Sequence, residues 1–351
     1  MELNEEKLNE LLGKVVTEMG AAANGPLILL GDKLGLFKSL AASGPMNSTE
    51  LADETNTAER YVREWLSAQA ASGYVTYDAT TNSFSMTPEQ AAVFGDEKSP
   101  VFMTGAFYAV TAVYNDVPKM EKAFQTGNGI AWGDHDTCLF CGTEKFFSPS
   151  YESNLVNTWI PSLDGVDAKL KSGAKVADIG CGHAASTIIM AKAYPNSTFI
   201  GYDYHDKSIE QARARAKDAG LNNISFEVAT AKEFPGDGYD LVTFFDCLHD
   251  MGDPVGACSH VKEVLKSDGS CMIVEPFAND TLEENLNPVG RAFYAFSTTI
   301  CTPCSLNQEV GLALGAQAGE KRLREVATSA GFGHFRRATE TPFNLILEAR
   351  A

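Results

Sequence analysis

Apolar positions change their spacing near residue 170. Before it they recur every three to four residues, the period of helices with one buried face; after it, short apolar runs alternate with helical stretches, the pattern of a parallel sheet with crossover helices. The first half predicts helices over 4–20 and 24–41. Asn47, Ser48, Thr49 and Glu50 form a helix start, with Asn47 as cap and Glu50 three residues on. A further helix begins at Asn56 and Thr57, and in it Val62, Trp65, Leu66 and Ala70 define one buried face. Gly73 ends that helix, and 74–77 and 84–86 flank a polar turn as a hairpin. Helix, turn, helix, hairpin is the order of a winged helix.

The second half predicts strands over 175–179, 198–202, 224–228, 241–245 and 270–275. Helices are expected near 184–193, 208–219, 255–265 and 321–330, with an antiparallel pair over 335–339 and 344–348 closing the sheet. The fold class is therefore α/β: a doubly wound, Rossmann-like sheet behind an N-terminal, mainly helical winged-helix domain. The expected division is a winged-helix and dimerisation domain over 1–100, a helical linker and pocket wall over 101–165, and a catalytic α/β domain over 166–351. The stretch 276–320 is too long for a plain connection and is expected to be a lid that walls the acceptor pocket.

Charge narrows the partners. The 351 residues carry 28 Lys and Arg against 46 Asp and Glu, a net charge of -18, which repels nucleic acid and anionic lipid. Between 27 and 100 only five basic residues face ten acidic ones, and the candidate recognition helix exposes Glu59, Arg60, Arg63 and Glu64. A DNA reader concentrates positive charge there, so a homodimer interface or a pocket wall is the better reading and no nucleic-acid partner is expected. The acidic start, MELNEEKLNE, lacks a secretory pattern, and the uncharged stretch 99–115 is too short and mixed to span a membrane. With no export signal, the eight cysteines are expected to be reduced thiols in the cytoplasm.

The chemistry gathers at the strand ends. The first strand of the α/β domain runs into Asp178, Ile179, Gly180, Cys181 and Gly182 and then a helix. Glycines let the backbone turn sharply and approach a ligand, and the helix start offers free N–H groups. Asp203 ends the next strand, where a carboxylate can accept both hydroxyls of a ribose. Gly180, Gly182 and Ala185 also fit a dinucleotide fingerprint, so the glycines do not choose the cofactor. Asp178 favours a ligand with an ammonium group over a pyrophosphate. S-adenosylmethionine (SAM) has that ammonium, a carboxylate for the loop and a ribose for Asp203.

On these residues, with Tyr202, Asp203 and Tyr204, the run from Phe245 through Asp246, Cys247, Leu248 and His249 to Asp250, and Val274, Glu275 and Pro276, the sequence resembles class I SAM-dependent methyltransferases with an N-terminal winged-helix domain. The resemblance spans about residue 25 to the end, is nearest to bacterial members, and extends more distantly to small-molecule O-methyltransferases of plants and antibiotic pathways. It implies SAM as cofactor, a small-molecule acceptor and a homodimer. Asp178, Gly180, Cys181, Gly182, Asp203 and Tyr204 would hold the cofactor, with Thr230, Ala231, Asp246 and Cys247 nearby. The chain departs from the family at Ala184, where a third glycine is frequent, at 229–231, which lacks an acidic partner for adenine, and at Met251, where plant relatives place a tryptophan.

His249 resembles the catalytic histidine of that group and Glu275 the carboxylate that orients it, which implies removal of a proton from an acceptor hydroxyl. An acceptor carbon or ionised thiol would need no base. Cys138 with Cys141 and Cys301 with Cys304 could supply four thiolates to zinc, but the pairs are far apart in sequence, so no metal is expected and unpaired thiols near a pocket are the default reading. The rival readings are an NAD(P)-dependent oxidoreductase using the same glycine loop and a SAM-responsive winged-helix regulator.

Overall fold

The computed structural model describes residues 3–351 and resolves into two units. The first holds the chain up to Tyr114 together with Thr137–Ser150, and the second holds Asn115–Asp136 and Tyr151–Ala351.

In the first unit a long helix, Glu5–Lys33, is capped by Asn4 and followed by helices Leu36–Ser43, Ser48–Thr55 and Glu59–Ala71. The hairpin strands β1 (Thr76–Asp78) and β2 (Ser83–Ser85) and the helix Pro88–Phe94 complete the winged-helix order. The expected break between 20 and 24 is absent. Three alanines, Ala21 to Ala23, are strong helix formers and carry the helix through Pro26, and the chain turns instead at Gly35, whose φ is +71°. The capping box of Asn47 and Glu50 is present in both directions. β1 starts two residues later than the apolar pattern suggests, because the Tyr74 amide still bonds to the Gln69 carbonyl at the helix end.

Phe37, Leu40, Leu51, Trp65 and Leu66 form the core of this unit. Each such side chain, fully buried, stabilises by about 1.5–3 kcal/mol. Two polar ties cross it: Trp65 Nε1 donates to the Leu27 carbonyl at 2.8 Å, and buried Asn24 and Gln69 exchange amide hydrogen bonds of 3.2 and 2.9 Å. On the outer face of Glu59–Ala71, Arg63 pairs with Glu59 and Arg60 with Glu64.

The second unit is built on seven strands: β3 (Lys175–Ile179), β4 (Thr198–Asp203), β5 (Ile224–Val228), β6 (Tyr239–Phe245), β7 (Leu265–Pro276), β8 (His334–Glu340) and β9 (Asn344–Arg350). Their order is β5-β4-β3-β6-β7-β9-β8, with β3 to β7 parallel and β9 antiparallel to both neighbours. Strand direction through the sheet reverses its winding at β3, and ligands of such sheets sit beyond the carboxyl ends beside that strand. β3 and β6 are buried along nearly their whole length, which is why most of their residues, Val176, Ala177 and Ile179 in the one and Leu241, Val242, Phe244 and Phe245 in the other, are apolar. β7 begins five residues before the expected 270, with a register shift where Tyr239 pairs with Leu265 and Leu241 with Ser270.

The stretch 276–320 contains helices of its own: Pro288–Phe296, a π-turn Ser297–Cys301 and Thr302–Leu306. It is tied to the loop after β6. The Ser305 hydroxyl donates to the Met251 carbonyl at 2.8 Å, the Gln308 amide donates to the Asp250 carbonyl at 3.0 Å, and the Leu312 amide donates to the Gly252 carbonyl at 2.9 Å. Among the described residues no helix is long and apolar enough to cross a membrane; the uncharged stretch forms the helix Thr104–Asn115.

Candidate functional site

The turn after β3 takes its shape from three departures from ordinary backbone at alternate residues. Gly180, Gly182 and Ala184 have φ of +70°, +51° and +68°. A side chain at Gly180 would strike Cys247 Sγ at 2.7 Å, so glycine is required there by packing as well as by φ. Nothing lies within 4 Å of the corresponding position at Gly182, which leaves open space over the backbone. Ala184, where a third glycine is frequent in the resembling family, is buried in the left-handed conformation and begins the helix Ala185–Ala193.

Asp203, at the end of β4, grips this turn. Its Oδ2 accepts the Gly182 amide at 3.0 Å and its Oδ1 accepts the His205 amide at 2.8 Å. Each oxygen keeps a second lone pair, the pattern that two vicinal hydroxyls can satisfy. Tyr204 follows and is exposed. Thr230 and Ala231 lie just past β5, whose end is joined to β4 by the Ala229 amide on the Asp203 carbonyl at 3.1 Å. Open glycine backbone, a strand-end carboxylate with free lone pairs and a small residue past the third strand fit an adenosyl ligand with an amino-acid tail.

Asp178 stands elsewhere than at the surface of the loop. It is 1% exposed, and its carboxylate accepts three hydroxyls: Ser186 at 2.9 Å, Thr187 at 2.6 Å and, across the sheet register, Thr243 at 2.9 Å. It ties β3 to β6 and to the first turn of the following helix. Burial pushes its carboxyl up to about 6, against the lowering effect of those hydroxyls. A carboxyl whose folded pKa exceeds its unfolded value near 3.9 binds extra protons in the folded state, so its contribution to stability falls as pH rises from about 4 to about 6. Asp178→Asn keeps the shape without the charge. It is expected to flatten the pH dependence of stability in that window by roughly 2 kcal/mol, read by denaturant unfolding at several pH values.

Cys181 is buried and Cys247 half-buried beside the turn, Cys247 Sγ lying 3.2 Å from the Ile179 carbonyl, and desolvation holds both thiols well above their usual range. They shape the turn as neutral groups. Asp246, at the end of β6, has φ of +50° and accepts Tyr151 Oη at 2.6 Å and Asn344 Nδ2 at 2.9 Å. Burial pushes its carboxyl up to about 8, and it serves as a hydrogen-bonded joint between β6, β9 and the chain at Tyr151.

The second cluster follows within four residues. Glu275, 2% exposed near the end of β7, accepts the Leu248 amide through Oε1 at 2.9 Å and contacts His249 Nδ1 through Oε2. His249 is 3% exposed, and its Nε2 lies 3.1 Å from Asp250 Oδ1. That oxygen is buried, and among the described residues no donor is aligned on it. Burial disfavours the charged ring, but the carboxylates of Asp250 and Glu275 outweigh it and hold the imidazole pKa well above its usual value. Cys301, on the π-turn, completes a group in which one ligand atom each of His249, Asp250 and Cys301 lies within 4.8 Å of the others.

The structure thus gathers Gly180, Gly182 and Asp203 at one pair of strand ends and His249 with Glu275 at the next, while the Asp178, Cys181, Asp246 and Cys247 side chains hold the turns in place. The residue pattern missed Asp250 and Cys301 as neighbours of the histidine, and Thr243 as the partner of Asp178. Thr243 carried a signal: it is the one polar residue in the run from Leu241 to Phe245, opposite Asp178 in register.

Comparison with known proteins agrees with this geometry. Residues 170–331 match the model of a methyltransferase domain, and residues 22–95 match an Rv2258c-like winged HTH domain. An uncharacterised methyltransferase, YcgJ, of Bacillus subtilis is 31% identical over 128 residues, 35% of this chain and 50% of its own length. A ubiquinone biosynthesis O-methyltransferase of Actinobacillus pleuropneumoniae is 32% identical over 116 residues, 30% of this chain and 48% of its own length. The chain spans about half the length of the curated relatives it matches. Among solved structures, human N-acetylserotonin methyltransferase in complex with SAM superposes with a TM-score of 0.70 at 15% identity, covering 100% of this chain and 99% of its own. An O-methyltransferase family protein from Burkholderia thailandensis does so with a TM-score of 0.68 at 16% identity, covering 100% and 99%. At these identities the structural likenesses establish the fold.

Proposed function

We propose that this chain, which carries a methyltransferase domain of the class I fold behind a winged helix–turn–helix domain, transfers a methyl group from SAM to a hydroxyl of a small-molecule acceptor. The observation that carries the reading is the meeting, at the ends of β3 and β4, of a turn with open space over Gly182 and Asp203 with a free lone pair on each oxygen. When bound, SAM supplies an electrophilic methyl and its own leaving group. The chain's work is then to place the cofactor and the acceptor and to take up one proton.

Asp203 holds the ribose hydroxyls, the backbone of Gly180 to Gly182 receives the amino-acid tail, and Thr230 and Ala231 border the base. Asp178 keeps the turn in position through its three hydroxyl partners. Glu275 fixes the His249 ring through Nδ1, which aims Nε2 at the acceptor. Asp250 Oδ1 faces that nitrogen and favours the protonated ring, so Nε2 first hands its proton to the Asp250 carboxylate, 3.1 Å away, and its freed lone pair then receives the proton of the acceptor hydroxyl. S-adenosylhomocysteine release with a panel of phenols, alcohols, amines and thiols tests the reading. Turnover with hydroxyl acceptors is expected; turnover confined to amines or thiols contradicts it.

The winged-helix domain serves as a dimer interface in this reading. On the helix Glu5–Lys33, Leu8, Leu11, Leu12, Val15, Val16 and Met19 form one stripe, each between 38% and 64% exposed. Such a stripe at helical spacing suits a second copy of the chain. The triple variant Leu12→Glu, Val15→Glu, Met19→Glu places charges in it without touching the core. A shift from dimer to monomer is expected by size-exclusion chromatography with light scattering, and a dimer that survives removes this helix from the interface. The paired Arg60 and Arg63 leave little free positive charge for nucleic acid on the neighbouring helix.

A further inference from the structure

We infer that His249, Asp250 and Cys301 form a binding site for a single zinc-class divalent cation. One ligand atom of each lies within 4.8 Å of the others, a spread that a tetrahedral ion spans with small side-chain adjustments. Imidazole nitrogen, carboxylate oxygen and thiol sulfur are together the donor set of a borderline-soft ion and a poor set for magnesium or calcium. Three protein ligands leave a fourth position open.

The surroundings are those of a built site. Metal-binding histidines characteristically have their other ring nitrogen tied to a carboxylate, which fixes the ring and its tautomer. Glu275 does this to Nδ1, and it is itself held by the Leu248 amide. Asp250 offers a buried oxygen with no donor aligned on it, while its backbone carbonyl is pinned by Gln308. Cys301 is buried and ends a π-turn, an irregularity that re-aims side chains and is frequent at functional sites. The second cysteine of its pair is engaged elsewhere: Cys304 Sγ lies 3.6 Å from His135 Nε2, and His135 Nδ1 in turn contacts Asp116 at 2.9 Å. The ligand set therefore draws one thiol from Cys301-x-x-Cys304 rather than both.

Binding forms metal–nitrogen, metal–oxygen and metal–sulfur bonds and releases the thiol proton of Cys301 and the Nε2 proton of His249 to solvent, with no change of oxidation state. The Nε2 lone pair that the ion takes is the one assigned above to proton removal. On that reading of the function, the loaded site cannot act as a base and methyl transfer is inhibited until a chelator removes the ion.

Cobalt(II) titration of the chelator-treated full chain tests the site without using activity. One equivalent is expected to give a thiolate-to-cobalt absorption band. The band should vanish in Cys301→Ser, weaken at least tenfold in apparent affinity in His249→Gln, and persist in Cys304→Ser and Cys138→Ser. SAM binding by each variant, measured by calorimetry, shows that it is folded. Absence of the band in a wild-type protein that binds SAM overturns the site, as does a band that survives Cys301→Ser or follows Cys138. A cobalt band as expected, in a protein that methylates no hydroxyl acceptor, leaves the site standing and overturns the functional reading alone.

Discussion

Replacing His249 by glutamine is expected to lower methyl transfer by roughly 100- to 10,000-fold, the usual worth of a positioned proton acceptor. SAM affinity should stay within about threefold of the wild type, because Asp203 and the glycine turn lie on other strand ends. Glu275→Gln tests the same pair from behind. Its amide oxygen can still accept the Leu248 amide, but the charge beside Nδ1 is gone, and a loss of about 10- to 100-fold in turnover is expected, in line with removal of an orienting partner. Both residues are buried, and removing one member of a buried charged pair destabilises. Thermal unfolding therefore has to accompany the kinetics. A stable His249→Gln enzyme that retains wild-type turnover would remove the proton-transfer role.

The second large effect belongs to Asp203. In Asp203→Ala two backbone amides, those of Gly182 and His205, lose their acceptor together, and the ribose would lose both of its own. SAM affinity is expected to fall on the order of 100-fold, since charge-assisted hydrogen bonds are each worth about 1.5–3 kcal/mol. Asp203→Asn keeps one accepting oxygen but turns a donor towards the second amide, and should fall between the two. Calorimetry reads both. An alanine variant with wild-type affinity would move the cofactor away from this cleft.

Much of this was legible in the sequence because apolar runs of the right length, each bounded by glycine or polar residues, mark buried parallel strands. Their ends then place Gly180, Gly182, Asp203, His249 and Glu275 on one edge of the sheet without further information. The capping box at Asn47 was readable for the same local reason. What escaped depends on longer-range geometry. The direction in which Asp178 points is set by the pairing of β3 with β6, which brings Thr243 opposite it, and by the helix turn that carries Ser186 and Thr187. Spacing along the chain does not encode that meeting. Likewise Cys301 reaches His249 only because a π-turn and the ties from Ser305, Gln308 and Leu312 fold the long insertion back on the loop after β6. The continuous helix through Pro26 shows the reverse case: a local breaker was overruled by its alanine-rich neighbours.

SAM is expected to bind at the ends of β3 and β4, over the Gly180–Gly182 turn and Asp203. The most direct test is calorimetric titration of the wild-type chain with SAM, S-adenosylhomocysteine and NADH in parallel. Saturable one-to-one binding of the first two, each displacing the other, is expected, with no heat from NADH. Binding of NADH alone would contradict it and make the same glycine turn a dinucleotide site.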